Sequence, residues 1–200
     1  MQQTTIQKER IILGIDPGTA VMGYGLVKET GSKIELISLG IVKMDNLDDH
    51  MLKLQRIFEK TVALIDNYHP DCLAIEAPFY GKNIQVMLKL GRAQGVAMAA
   101  ALSRNVEITE YSPRKIKQSI TGNGNATKEQ VAAMVQRLLS FKETPEFLDA
   151  TDGLAVAVCH SFQKISVGKG SAGAKKSYSG WETFVKDNTS RVAGIVKGKK

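Results

Sequence analysis

A chain of 200 residues with 43% hydrophobic and 24% charged content can bury one sizeable core, which argues for one α/β domain rather than two. No run approaches the roughly 18 uninterrupted apolar residues of a membrane span, and Met1 to Arg10 lacks the apolar centre of a signal peptide, so a soluble cytoplasmic protein with no membrane partner is expected. The net charge of +7 is uneven: basic and acidic residues are equal in number up to residue 163, and the whole excess lies in the Gly-, Ser- and Lys-rich stretch beyond it. Such a tail reads as a solvated segment whose non-specific affinity is for phosphate, which makes nucleic acid the first partner class to test. The expected division is a 1–10 extension, an 11–163 domain and a 164–200 basic tail.

The domain opens with a β-meander. Ile11 to Ile15 reads as a strand, Pro17-Gly18-Thr19 as a turn, and Tyr24 to Val27 and Ile34 to Val42 as two further strands separated by Gly31-Ser32. Leu52, Ile57, Val62 and Ile65 give approximately helical spacing over about Asp48 to Tyr68, ended by His69-Pro70. Cys72 to Ile75 reads as a buried, parallel strand, and a long helix is expected over about Lys82 to Ser103. Val106 to Thr109 supplies another strand. Ser112-Pro113, the Thr127 to Gln130 capping-box pattern and Thr144-Pro145-Glu146 each mark the start of a helix. Cys72 and Cys159, far apart in apolar surroundings, read as buried thiols rather than a disulfide or zinc site.

Four acids stand out against this frame. Asp16 and Glu76 each follow a short apolar strand, at the carboxyl end where open α/β sheets place their sites. Asp149 and Asp152 lie at i and i+3 on the last helix, on one face beside Gly153 and Val156. No Lys or Arg occurs between Ile11 and Val27, Thr61 and Gly81, or Glu143 and Gln163, so no local cation is available to any of them. Two carboxylates about 4 Å apart repel by roughly 1 kcal/mol in water and about 4 kcal/mol in a protein-like dielectric, so four together demand protons or counter-ions. Singly, Asp16 could belong to an ordinary turn and Asp149 to a favourable helix dipole, whereas Glu76, directly after a strand and before Ala77-Pro78, is harder to dismiss. Jointly they point to a two-metal site of the kind used for in-line phosphoryl displacement, with hard oxygen ligands that select Mg²⁺ and admit Mn²⁺.

Candidate nucleic-acid contacts surround these acids. Phe79 and Tyr80 come just after Glu76, and either an exposed base stacks on one of them or the ring plugs the core. Lys82, Lys89 and Arg92 share a spacing on the long helix, and Arg114, Lys115 and Lys117 cluster after a helix start. Either set could hold phosphates, and either could be a solvated face. Gly122-Asn-Gly124 reads as a flexible loop that lets Lys128 approach DNA. Gly91, Gly95 and Ala99 form a small-residue face that permits close helix approach.

Ile12-Leu-Gly-Ile-Asp16-Pro-Gly, Ala74-Ile-Glu76 leading into Phe79 and Lys82-Asn83, Leu88 to Gly91, and Asp149-Ala-Thr-Asp152-Gly-Leu-Ala155 together resemble the RuvC family of bacterial Holliday-junction resolvases. The match runs in order from about Ile11 to His160. The resemblance implies an RNase H-like fold, a mixed five-stranded sheet flanked by helices. It also implies a homodimer acting as a metal-dependent endonuclease, which nicks two symmetric strands of a four-way DNA junction in recombination and repair and leaves 5′-phosphate and 3′-hydroxyl ends. By the same resemblance Asp16, Glu76, Asp149 and Asp152 hold the metal pair, Phe79 takes the wedge position, and Lys117 and Lys128 contact phosphates. The long helix becomes the dimer seam, and the branch-migration proteins RuvA and RuvB become candidate partners. Three other readings compete: a nuclease acting on structured RNA, a junction-binding protein without chemistry, and, from Gly14 to Thr19, an actin-like phosphate loop that lacks its second loop and second lobe.

Overall fold

The computed structural model of the chain describes residues 9–79, 83–141 and 148–167, the last four of these by backbone alone. Three antiparallel strands come first, β1 (Glu9–Asp16), β2 (Val21–Thr30) and β3 (Lys33–Lys43). Helix α1 (His50–Tyr68) then leads into β4 (Cys72–Glu76), α2 (Ile84–Leu102) and β5 (Glu107–Tyr111). Helices α3 (Pro113–Thr121), α4 (Lys128–Leu139) and α5 (Leu148–Val167) complete the domain. The sheet order is β3-β2-β1-β4-β5, with β4 parallel to both β1 and β5, so it is a mixed five-stranded sheet as expected. Among the described residues no helix is long and apolar enough to cross a membrane.

Each strand alternates sides, and the alternation divides the core in two. Leu13, Ile15, Leu73 and Ile75 face α1 and α2, packing with Ile57, Leu64, Ile65, Ala93 and Ala97. Ile12, Cys72 and Ala74 face the other way, against α5 with α3 and α4 outside it. Helix α5 is apolar nearly all round because it is an interior helix: Leu154 to Cys159 are all buried. Its far end is tied to two strands through His160, whose ring nitrogens meet Cys72 Sγ at 3.4 Å and the Tyr111 hydroxyl at 2.9 Å. Both cysteines are buried and neither forms a disulfide, as their surroundings predicted.

Several boundaries move. β1 begins at Glu9, so the strand takes in two residues of the segment read as an extension, and α5 runs past residue 163. α2 starts at Ile84 rather than Lys82, because Asn83 caps it by accepting from the Val86 N–H. The expected helix start at Thr144-Pro145, Tyr80, Lys82 and the tail from 168 onward lie outside the described residues.

Candidate active site

Period-2 alternation decides where the first two acids point. Asp16 shares a strand face with Ile12 and Gly14, and Glu76 shares one with Cys72 and Ala74, so both carboxylates emerge on the α5 side, at the same end of neighbouring strands. Glu76 is held there by its surroundings: the Ala77 N–H donates to the Tyr111 carbonyl at 2.8 Å, and buried Gln94 from α2 donates to the Glu76 carbonyl at 3.3 Å and to Glu110 at 2.8 Å.

Helix α5 delivers the other two acids because the strands beneath it carry no side chains where it crosses. Gly14 and Gly25 are paired across β1 and β2, and Gly23 pairs with Asp16. A Cβ on Gly23 would overlap the Asp149 carbonyl, one on Gly14 the Gly153 carbonyl and Ala157, and one on Gly25 the Leu154 backbone. On the helix side, a Cβ on Gly153 would meet the Tyr24 N at 2.5 Å. The glycines therefore let the α5 backbone press onto the sheet with Asp149 and Asp152 above Asp16.

A cleft of about 560 Å³ opens over these groups, lined by Asp16, Glu76 and Asp152 together with Phe79, Arg114, Lys117 and Lys128. A larger depression of about 830 Å³ at the edge formed by β3 and α1 mixes Lys43, Arg56 and Lys60 with Asp45 and Glu59, and includes none of the four acids.

Sequence spacing suggested that the acids lacked a cation, and here the structure corrects it. Lys128 Nζ lies 3.2 Å from Asp149 Oδ1 and 2.6 Å from Asp152 Oδ2. The lysine comes from α4, 21 and 24 residues away, so no local window could reveal the pairing. Its position follows from the Thr127 capping box, which starts α4 with Lys128 as its first residue. Burial pulls the Lys128 ammonium down, but hydrogen bonds and attraction to Asp152 and Asp149 outweigh it and hold its pKa above the ordinary value.

One lysine does not neutralise the group. Burial, then repulsion from Asp152, raises the Asp16 carboxyl to about 7. Burial, then repulsion from Asp16, raises Glu76 to about 8. Asp152 is also raised, by burial, although Lys128 partly offsets it. Because the folded values exceed the reference values of 3.8 and 4.5, the native state binds more protons than the unfolded chain from about pH 4 to 8, and stability falls as pH rises through that window. Each retained proton is worth about 1.4 kcal/mol per pH unit. In EDTA the melting temperature should therefore drop by roughly 5 °C or more between pH 5.5 and 8. Millimolar Mg²⁺ should flatten that slope, and a melting temperature independent of pH in EDTA would contradict the charge balance described.

The donor set fits a hard divalent cation in kind: Asp16, Glu76 and Asp152 line one cleft, and their carboxyls are raised by burial and mutual crowding despite the opposing effect of Lys128. The oxygens are not all free to bind one. Among the described residues no three Asp, Glu, His or Cys side chains converge closely enough to hold a metal ion as they stand, and two of the four acids are committed to Lys128.

The family model for crossover junction endodeoxyribonuclease RuvC matches residues 12–160. The crossover junction endodeoxyribonuclease RuvC of Christiangramia forsetii is 58% identical over 191 residues, covering 96% of this chain and 97% of that protein. The Cytophaga hutchinsonii protein of the same name is 58% identical over 187 residues, covering 94% and 90%. The chain belongs to the RuvC family. Among solved structures, T. thermophilus RuvC in complex with a Holliday junction substrate superposes with a TM-score of 0.73 at 31% identity, covering 79% of this chain and 96% of that one. The fold is RNase H-like, and the RuvC-family chain is a nuclease that hydrolyses DNA phosphodiester bonds.

The remaining RuvC-like positions separate into two groups. Phe79 is 71% exposed at the rim of the cleft, so it does not plug the core. Arg114 and Lys117, on α3, line the same cleft. Lys89 and Arg92 are exposed on α2, outside the cleft lining. The 122–124 loop, read as a flexible turn, is hydrogen-bonded to α3: Gly122 caps the helix at φ 77°, and Gln118 accepts from the Gly124 N–H at 3.0 Å and donates to the Gly122 carbonyl at 2.5 Å. Lys128 is thus presented by a hydrogen-bonded loop and a capped helix. Sequence reasoning missed Gln94 and the close-approach glycines; Gly at alternate positions 23 and 25 of a strand was the available signal for the latter.

Proposed function

We propose that the chain resolves four-way DNA junctions by cutting two strands of equal polarity, with Asp16, Glu76, Asp149 and Asp152 holding a pair of Mg²⁺ ions at each site of a homodimer. Mn²⁺ substitutes for Mg²⁺, and the products carry 5′-phosphate and 3′-hydroxyl ends. The observation that carries this reading is the gathering of Asp16, Glu76 and Asp152 from three separated segments into one cleft, with Asp16 pushed to about 7 by burial and repulsion from Asp152, and Glu76 to about 8 by burial and repulsion from Asp16. A divalent pair supplies an activated water and stabilisation of the charge that develops on the scissile phosphate. The protein fixes both strand-end acids through the sheet, brings the helix acids down through the glycine contact, and lines the strand path with Arg114, Lys117 and Lys128 as phosphate contacts.

Homodimerisation is supported by α2. Ile84 and Leu88 are 68% and 52% exposed, and added Cβ atoms at Gly91 and Gly95 would meet nothing, so among the described residues a continuous apolar and small-residue face is uncovered. Two copies joined there would present two cleavage sites to one two-fold junction. Lys89 and Arg92 on the same helix, with Lys82 before it, would hold the arms. Association with RuvA and RuvB belongs to the same reading on family resemblance, as does a cytoplasmic location.

The test is cleavage of a synthetic four-way DNA junction with and without Mg²⁺, beside a matched duplex and an RNA junction. Paired symmetric nicks in the DNA junction alone support the reading; equal cutting of RNA, or none with Mg²⁺, defeats it. Phe79→Ala should slow single-turnover cleavage about tenfold through loss of a base stack worth roughly 1–3 kcal/mol. Its melting temperature should not change, because the ring is exposed.

A further inference from the structure

We infer that Lys128 is a resident counter-cation which a divalent ion displaces: its ammonium holds Asp149 and Asp152 until the ion arrives, and is then released to take a phosphate of the bound strand. The inference rests on the metal-site reading above.

Three observations carry it. The first is that Nζ bonds one oxygen of each helix acid, at 3.2 and 2.6 Å, so the ammonium and a divalent ion compete for the same ligands. Two cations at contact distance repel strongly, and both cannot stay. Helix geometry is the second. Lys128 is the first residue of α4, where the positive end of the helix disfavours a cation, so the carboxylates, helped by Glu129 beside it, are what keep the charge in place.

The third is freedom to move. The Lys128 side chain is 53% exposed, while its helix is anchored by the capping box and by buried Val131, Ala132 and Val135. Departure of the ammonium therefore needs only rotation of a flexible stem, not movement of α4. The released group lies in the cleft shared with Arg114 and Lys117, so the strand path gains a cation when the ion binds. By reciprocity, a phosphate that captures Lys128 tightens ion binding, which couples metal loading to substrate capture.

The experiment follows Mn²⁺ binding to the full chain by electron paramagnetic resonance, in the wild type, Lys128→Met and Lys128→Arg. Alongside it, limited acetylation with and without Mn²⁺ is read at Lys128 by peptide mass spectrometry, with exposed Lys115 as the reference. Lys128→Met should bind Mn²⁺ about threefold tighter or more, since two ion pairs no longer compete. It should melt below the wild type in EDTA and match it at saturating Mn²⁺, whereas Lys128→Arg keeps the weaker affinity. Acetylation of Lys128 should rise about threefold on adding Mn²⁺ while Lys115 stays constant. Unchanged or reduced Lys128 labelling, with Mn²⁺ affinity equal or weaker in Lys128→Met, overturns the exchange while leaving the metal site intact. A wild type that binds no Mn²⁺ at millimolar concentration overturns the metal-site reading itself.

Discussion

Asp16→Asn should lower junction cleavage by about 10³-fold, leave junction binding within about twofold, and raise the melting temperature in EDTA above pH 7. The first effect follows from removing a charged oxygen at the centre of the acidic group, where a preorganised electrostatic contact is commonly worth 10²- to 10³-fold or more. The third follows from the same charge. Asp16 is held at about 7 by burial and by repulsion from Asp152, so its ionisation opposes folding increasingly from about pH 4 and in full above about pH 7, and the amide relieves that cost. Glu76→Gln should behave alike, with its stabilisation growing from about pH 4.5 and complete above about pH 8. Loss of activity accompanied by gain of stability separates a functional charge cluster from a structural one, in which loss of an ion pair would lower both. Nicking kinetics, gel shift and melting curves on the same preparations decide it, and a variant with wild-type cleavage would remove Asp16 from the site.

Gly23→Ala should cost roughly 3 kcal/mol of stability and at least tenfold in cleavage, although it adds one methyl group and removes no acid. That methyl would overlap the Asp149 carbonyl, and the neighbouring contact of Gly153 with Tyr24 leaves α5 no room to settle elsewhere. The helix must lift, which separates Asp149 and Asp152 from Asp16 and exposes apolar surface around Leu154. The melting temperature should fall by about 6–12 °C. Refolding and nicking assays with an ordinary melting temperature and full activity would show that the close approach is not needed.

Much of this molecule was legible in the chain because the relevant forces are local. Alternating strands, the Ser112 and Thr127 helix starts and the His69 stop depend on neighbours within a few residues, so the order of elements and the place of Asp16 and Glu76 at strand ends could be read locally. What could not be read depends on contacts across the sheet. Lys128 meets its two acids only because α4 packs on α5, and Gln94 reaches Glu76 only because α2 crosses β4 and β5. An absence of nearby cations in sequence was therefore a poor guide to charge balance in space. The role of Gly14, Gly23 and Gly25 was equally hidden, since glycine in a strand signals an approach without naming what approaches. Once the pairing is known, those residues explain why acids more than 130 residues apart in sequence reach one cleft.

Anomalous diffraction from crystals of the protein soaked in Mn²⁺ tests the central claim most directly. Two peaks bounded by Asp16, Glu76, Asp149 and Asp152, with Lys128 turned out of its present position, are the expected result. No peak within this group, with Lys128 still bridging Asp149 and Asp152, would contradict it.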